Sequence, residues 1–248
     1  MRIGIITAMA EETLPIYQKL GNLVASNIIS GVAIRKIELG NHTIYLATSG
    51  IGEIKAALAT QLLIDLFDIE VVLNFGFVGS LQNNLDVGEM VLAERVSHYQ
   101  FDLSAIDGTE PGQYDKDEEK YLYLDQNIIK NVSAKIKQPL KLVTVASGDK
   151  FVANQKDKEY LRNDFQADIC EMELAGITIA AKRNDLPVFS CKIVSDKANE
   201  ESNISFRDVV NKGLTKYEEL LPSILEALNP DNYTLPPRIK SSKELKNI

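Results

Sequence analysis

Short runs of β-branched and aliphatic residues recur along this chain, and most are followed by a stretch with helical periodicity. That alternation restricts the fold to a sheet covered by helices. Arg2 to Thr7 is a β-branched run of strand length, and Ala8 to Glu12 leads from it into a helix through Leu14, Ile16, Tyr17 and Leu20. Val32 to Leu39 and Thr43 to Thr48 alternate around Gly40-Asn41, a hairpin signal that makes the sheet mixed. A helix from Glu53 to Phe67 precedes a strand from Glu70 to Leu73, a glycine-bearing loop from Asn74 to Ser80 and a strand from Glu89 to Val96. The pattern then predicts a helix over Asp125 to Ile136, a strand over Leu140 to Ala146, a helix over Asn154 to Asn163, a strand over Val188 to Val194 and a last helix from Phe206. The expectation is an α/β fold: one domain over residues 1–228, with a central mixed β-sheet flanked by helices. Residues 229–248, with Pro236-Pro237 and a lysine-rich end, read as a tail with little to pack, an arm or a disordered segment.

With 45% hydrophobic residues, the 248-residue chain has ample material for a core. Its net charge of −8 argues against nucleic acid as a partner. No apolar run is long enough to cross a bilayer, and the apolar start, cut short by Ala10-Glu11-Glu12, reads as a first strand rather than a signal peptide. The expected location is therefore cytoplasmic, without a membrane partner. Cys170 and Cys191 lie in apolar segments and are expected to be buried free thiols. The two histidines and two cysteines show no metal-ligand spacing, and no cofactor is expected.

The chemistry is carried by acids placed after strands, where an α/β protein keeps its reactive groups. Glu171 and Glu173 flank Met172 just before a helical run, and Asp196 with Ser195 ends the Val188 strand. Glu12 follows the first strand. Each glutamate has a plain structural reading too, as an acid in a first helical turn. Ser49-Gly50-Ile51-Gly52 and the Gly76 and Gly79 loop would let backbone approach a ligand. Phe151 and Val152 follow a strand, a position suited to stacking a flat heterocycle. The irregular stretch 97–124, with Phe101, Leu103 and Ile106, reads as a binding loop whose charged half is solvated.

The segments Ile3 to Glu12, Ser49 to Gly52, Ser147 to Phe151, Glu171 to Glu173, Val194 to Asp196 and Ser205-Phe206, in this order, resemble the nucleoside phosphorylase/hydrolase superfamily. Within it they look most like the 5′-methylthioadenosine/S-adenosylhomocysteine nucleosidases. The resemblance implies a nucleoside phosphorylase-like fold and hydrolysis of the bond between adenine and ribose. It implies that Asp196 protonates the base, that Glu12 polarises the attacking water and that Glu173 holds the ribose hydroxyls. It assigns adenine to Phe151 and the backbone of Val152, and the ribose and 5′-thioalkyl group to Met9, Ile51, Met172 and Phe206, with Gly79 in the substrate loop. Ser195 is placed to orient the Asp196 carboxyl. The resemblance also implies a homodimer, with the 97–124 region as the loop that closes a partner's pocket. The chain departs from the family pattern at Phe77, where a serine is usual, at Lys192, where an arginine is usual, and at Thr7 and Ala10.

The chemistry is consistent with those roles. Breaking an N-glycosidic bond builds positive charge on the sugar, which a carboxylate stabilises, while an acid protonates the leaving base. Two other readings stay open: a phosphorylase of the same fold, and a nucleoside-binding protein without turnover. Glu53, after Ser49 to Gly52, opposes an anion and weighs against the first.

Overall fold

A computed structural model of the protein describes residues 1–20, 22–199 and 206–238. In chain order the elements are β1 (Arg2–Thr7), α1 (Ala10–Leu20), β2 (Leu23–Ile29), β3 (Val32–Leu39), β4 (His42–Thr48), α2 (Glu53–Phe67), β5 (Val71–Ser80), β6 (Met90–His98), α3 (Ser104–Asp107), β7 (Leu122–Tyr123), α4 (Gln126–Lys135), β8 (Lys141–Ser147), α5 (Gln155–Asp164), β9 (Ile169–Glu171), α6 (Leu174–Lys182), β10 (Val188–Asp196) and α7 (Phe206–Ala227). The architecture is a mixed sheet flanked by helices, as the alternating pattern requires.

The strands run in the order β10-β6-β8-β9-β5-β1-β4-β3-β2, and β5 also pairs with β10. That extra pairing closes β10, β6, β8, β9 and β5 into a ring, from which β1, β4, β3 and β2 extend as a wing. β5 makes this possible by changing neighbours along its length. Its first half lies between β1 and β10, and its end, Gly79 and Ser80, pairs with β9. The buried amide of Asn74 ties these strands together. Its Nδ2 donates to the Ile6 carbonyl at 3.1 Å, and Ser190 Oγ donates to its Oδ1 at 2.9 Å.

The structure corrects two expectations. Asn74 to Ser80 is not a loop but the second half of β5. The glycines serve close side-chain approach instead: a Cβ on Gly76 would stand 3.2 Å from Glu12 Oε1, and one on Gly79 would stand 3.2 Å from Asp196 Oδ1. Residues 229–238 are not an unpacked arm either. Tyr233 is buried and donates to Asp125 Oδ2 at 3.0 Å, Asn229 Oδ1 meets His42 Nε2 at 2.9 Å, and Arg238 pairs with Asp68 at 2.9 Å. The rest of the tail, 239–248, lies outside the described residues. The 97–124 region begins with the last two residues of β6 and otherwise holds the single turn α3 and the two-residue strand β7. Cys170 and Cys191 are buried and free.

Helices α2 and α6 meet at Gly176, where an added Cβ would lie 2.4 Å from the Glu53 carbonyl oxygen. Close contact of this kind tolerates no extra methyl without a shift of backbone. Gly176→Ala is therefore expected to destabilise the fold by about 1–3 kcal/mol. Urea unfolding checks this, and an unchanged midpoint would show that the helices have room to separate.

Candidate active site

A cavity of about 350 Å³ opens at the carboxyl ends of β1, β5, β9 and β10. It lies within the range of pockets that enclose small ligands, roughly 300–1,000 Å³. Its polar wall comprises Glu12, Glu171, Glu173, Ser195 and Asp196, and its apolar wall includes Met9, Ile51, Phe77, Val78, Phe151 and Met172. A larger groove of about 720 Å³ lies at the opposite ends of β6 and β8. There Lys135 and Lys141 pair with Glu226 and Glu89, and Lys216 donates to the Gly88 carbonyl, so no set of acids converges on it.

Glu12 lies in the first turn of α1 and folds back over the helix start. Its Oε2 accepts from the Ala8 and Met9 N–H groups at 2.9 and 3.0 Å, and its Oε1 accepts from Phe77 N–H at 3.2 Å. The plain reading of a helix-start acid is thus correct for Oε2. Both oxygens are fixed, and the residue also faces the cavity. Burial pushes the Glu12 carboxyl above its ordinary value, against the opposing influence of these N–H donors and of Lys192.

Asp196 closes β10 across an irregularity in register between Val194 and Asp196. Its Oδ1 accepts from Ala198 N–H at 2.8 Å, and Ser195 Oγ donates to its Oδ2 at 2.8 Å. Ser195 Oγ also lies 3.2 Å from the Val78 carbonyl oxygen. Two adjacent residues of one strand therefore present an oriented carboxyl, which is the geometry expected of them from sequence.

Between these acids lies a buried ionic cluster. Lys192 Nζ lies 2.9 Å from Glu171 Oε2, and both side chains are almost wholly buried. Burial works against the Lys192 ammonium, but Glu171, Glu173 and Glu12 outweigh it and hold its pKa above the ordinary lysine value. Glu171 also accepts from the N–H groups of Glu173 at 3.2 Å and Leu174 at 3.0 Å, so it stabilises the start of α6 as well. Glu173 Oε1 accepts from Gly52 N–H at 3.0 Å. Burial first, and the Glu171 charge second, push its carboxyl up to about 7. Ser147 Oγ hydrogen-bonds to both Glu171 and Glu53. Burial, and then Glu171, push Glu53 up to about 8.

Of the residues singled out from sequence, Met9, Glu12, Ile51, Gly79, Phe151, Met172, Glu173, Ser195 and Asp196 all line this cavity. Val152 does not. Its side chain is buried in a separate apolar cluster with Tyr99, Leu161 and Phe165. Phe206 opens α7, but its side chain, like the whole of Ser205, lies outside the described residues. Sequence reasoning missed the structural weight of Glu53 and Ser147, whereas Glu171 serves the helix start as its plain reading expects. The available signal was Glu53 itself, an acid opening a largely apolar helix.

The sequence model of the phosphorylase superfamily matches residues 2–226. A 5′-methylthioadenosine/S-adenosylhomocysteine nucleosidase of Staphylococcus carnosus is 31% identical over 229 residues, covering 91% of this chain and 100% of the relative. An aminodeoxyfutalosine nucleosidase of Helicobacter pylori is 30% identical over 230 residues, covering 92% and 99%. A structure of the S. pneumoniae 5′-methylthioadenosine/S-adenosylhomocysteine nucleosidase with a transition-state inhibitor superposes with a TM-score of 0.84 at 30% identity, over 92% of this chain and 100% of that one.

Proposed function

The chain belongs to the phosphorylase superfamily, and on that footing we propose that it is a nucleosidase that hydrolyses the N-glycosidic bond of 5′-methylthioadenosine and S-adenosylhomocysteine. The observation that carries the reading is the convergence of Glu12, Glu173 and Asp196 on one cavity with Met9, Ile51, Phe77, Phe151 and Met172 as its apolar wall. Carboxyl groups suit the charge that develops on the sugar. Apolar rings and thioethers suit a purine and a 5′-thioalkyl chain.

In this reading Asp196 gives its proton to the purine N7 as the bond between the base and C1′ breaks, and the bonding electrons leave with the base. The Ser195 hydroxyl holds that carboxyl in line. Positive charge grows on the ribose ring, and Glu173 steadies the sugar through its hydroxyls. Water then adds at C1′ and its proton passes to Glu12. A carboxylate raised by burial is a stronger base than one in water, which suits Glu12 to that step. Phe151, about half exposed at the cavity mouth, stacks on the base. Met9, Ile51 and Met172 surround the ribose and 5′ group, and Gly79 on β5 leaves room beside the Asp196 carboxyl.

The 5′ end of the substrate is the open question of ranking, since the H. pylori relative carries the name of an aminodeoxyfutalosine nucleosidase. Competition between methylthioadenosine, adenosylhomocysteine and an aminodeoxyfutalosine-type nucleoside decides it, and the proposal predicts the highest kcat/KM for the first two.

We also propose a homodimer. Ile54, Leu58 and Leu66 are exposed along one face of α2, which begins beside Ile51 at the cavity mouth. Exposed apolar surface of this extent marks a contact face. In the 97–124 region Phe101 is stacked on Tyr114 within its own chain, whereas Ile106 is exposed and free to reach a second copy. The proposal expects Leu58→Asp to sediment as a monomer and to show a raised KM. A wild-type protein that is monomeric at micromolar concentration would remove the idea.

Asp196→Asn cannot deliver the proton. It is expected to lose at least about a hundredfold in base release while binding nucleoside with little change. Retained activity in this variant would mean that another group protonates the base.

A further inference from the structure

We infer that Glu53 is a neutral carboxylic acid and a positioning residue, which holds Glu171 and Lys192 in register through the Ser147 hydroxyl. The argument is a proton count. Ser147 Oγ has one proton to give and two lone pairs to fill. Ala175 N–H donates to it at 3.0 Å. Glu171 and Glu53 both lie within hydrogen-bonding distance of the same oxygen. Glu171 is the ion-pair partner of Lys192 at 2.9 Å, so the serine proton belongs to Glu171. One lone pair on Ser147 is left, and the Glu53 oxygen Oε1 faces it. Two buried acceptors head to head leave both unsatisfied, at roughly 1–3 kcal/mol each. A proton on Glu53 removes the conflict and completes every bond. The reverse assignment, a proton on Glu171, would strip Lys192 of its counter-ion in a buried site.

The surroundings agree. The other Glu53 oxygen accepts from Gly176 N–H at 2.5 Å, and the Glu53 main-chain N–H donates to Asp149 Oδ1 at 2.8 Å. The titratable groups facing Glu53 are Glu171 on β9, Glu173 at the start of α6, Asp149 after β8, and Tyr99 and Tyr114 after β6. Lys192 sits at the other oxygen of Glu171. Burial and the neighbouring carboxylates favour the neutral form at neutral pH.

The consequence for turnover rests on the nucleosidase reading. Glu171 accepts from the Glu173 N–H, so the acid chain Glu53–Ser147–Glu171 sets where the ribose-holding Glu173 stands. Ionising Glu53 puts a further negative charge beside Glu171 and removes the donor to Ser147. Ribose binding then weakens, so KM rises with pH while the proton-transfer groups are untouched.

Glu53→Gln is the test. Its amide donates to Ser147 and accepts from Gly176, and it has no proton to lose. Near neutral pH the infrared difference spectrum between wild type and Glu53→Gln should show one carbonyl band of a protonated carboxylic acid that the variant lacks, over and above the Asp196 and Glu173 carboxyl bands common to both proteins. In the wild type alone the band should vanish as pH is raised through about 8, which serves as the test even if the variant folds poorly. Wild-type KM for methylthioadenosine should rise roughly tenfold per pH unit above that point, the slope of a single ionisation, and this rise should be absent in Glu53→Gln. A wild type without the band overturns the inference. A band with identical KM profiles in both proteins overturns the positioning role. A band with no base release from any purine nucleoside supports the neutral acid and counts against the nucleosidase reading.

Discussion

The pairing of Lys192 with Glu171 holds together a site that would otherwise be a cluster of mutually repelling acids. Both groups are almost wholly buried, and Glu12, Glu53 and Glu173 are buried around them. Taking any one of these ions out of water costs several kcal/mol, and removing one partner of such a pair leaves the other uncompensated at about 3–5 kcal/mol. The fold is shaped to permit the contact. Lys192 and Glu171 lie on β10 and β9, which do not pair with each other but both pair with β5. Closing the ring through β5 brings them together. Gly76 on β5 supplies the space, since a Cβ there would lie 3.6 Å from Lys192 Nζ and 3.2 Å from Glu12 Oε1. Ion pair, glycine and sheet closure therefore stand or fall as one unit.

The same cluster decides which nucleophile the cavity favours. Among the described residues that line it there is no lysine or arginine. Lys192 lies behind Glu171 and is engaged there. A phosphate dianion entering would meet Glu12, Glu171 and Glu173 without a cation to receive it, whereas water carries no charge to repel. Phe77 adds an apolar ring to the same wall and packs edge-on toward Tyr217, whose hydroxyl donates to the Gly76 carbonyl. These features support hydrolysis over phosphorolysis.

Much of the fold was legible because the chain's periodicity agrees with its burial. β1 and β10 are buried along nearly their whole length, as their apolar residues suggest, and β3 and β4 pair as a hairpin around Gly40-Asn41. The second half of β5 was misread because its glycines look like loop residues, while their actual service is to let the side chains of Glu12 and Asp196 pass close by. Residues 229–238 were misread because Tyr233 and Arg238 are held by Asp125 and Asp68, partners over a hundred positions away that no local pattern reveals. Glu12, Glu173 and Asp196 were legible as acids after strands. Glu53 and Ser147 were not, because the β8–β9 register sets Ser147 opposite Glu171 and the close approach of α2 and α6 at Gly176 brings Glu53 to the same hydroxyl.

The measurement that tests the central claim most directly is release of adenine from methylthioadenosine by the purified protein, with and without inorganic phosphate. The account predicts release at the same rate in both, with free 5-methylthioribose as the sugar product. Release that requires phosphate and yields the sugar 1-phosphate would contradict it, as would tight nucleoside binding with no release at all.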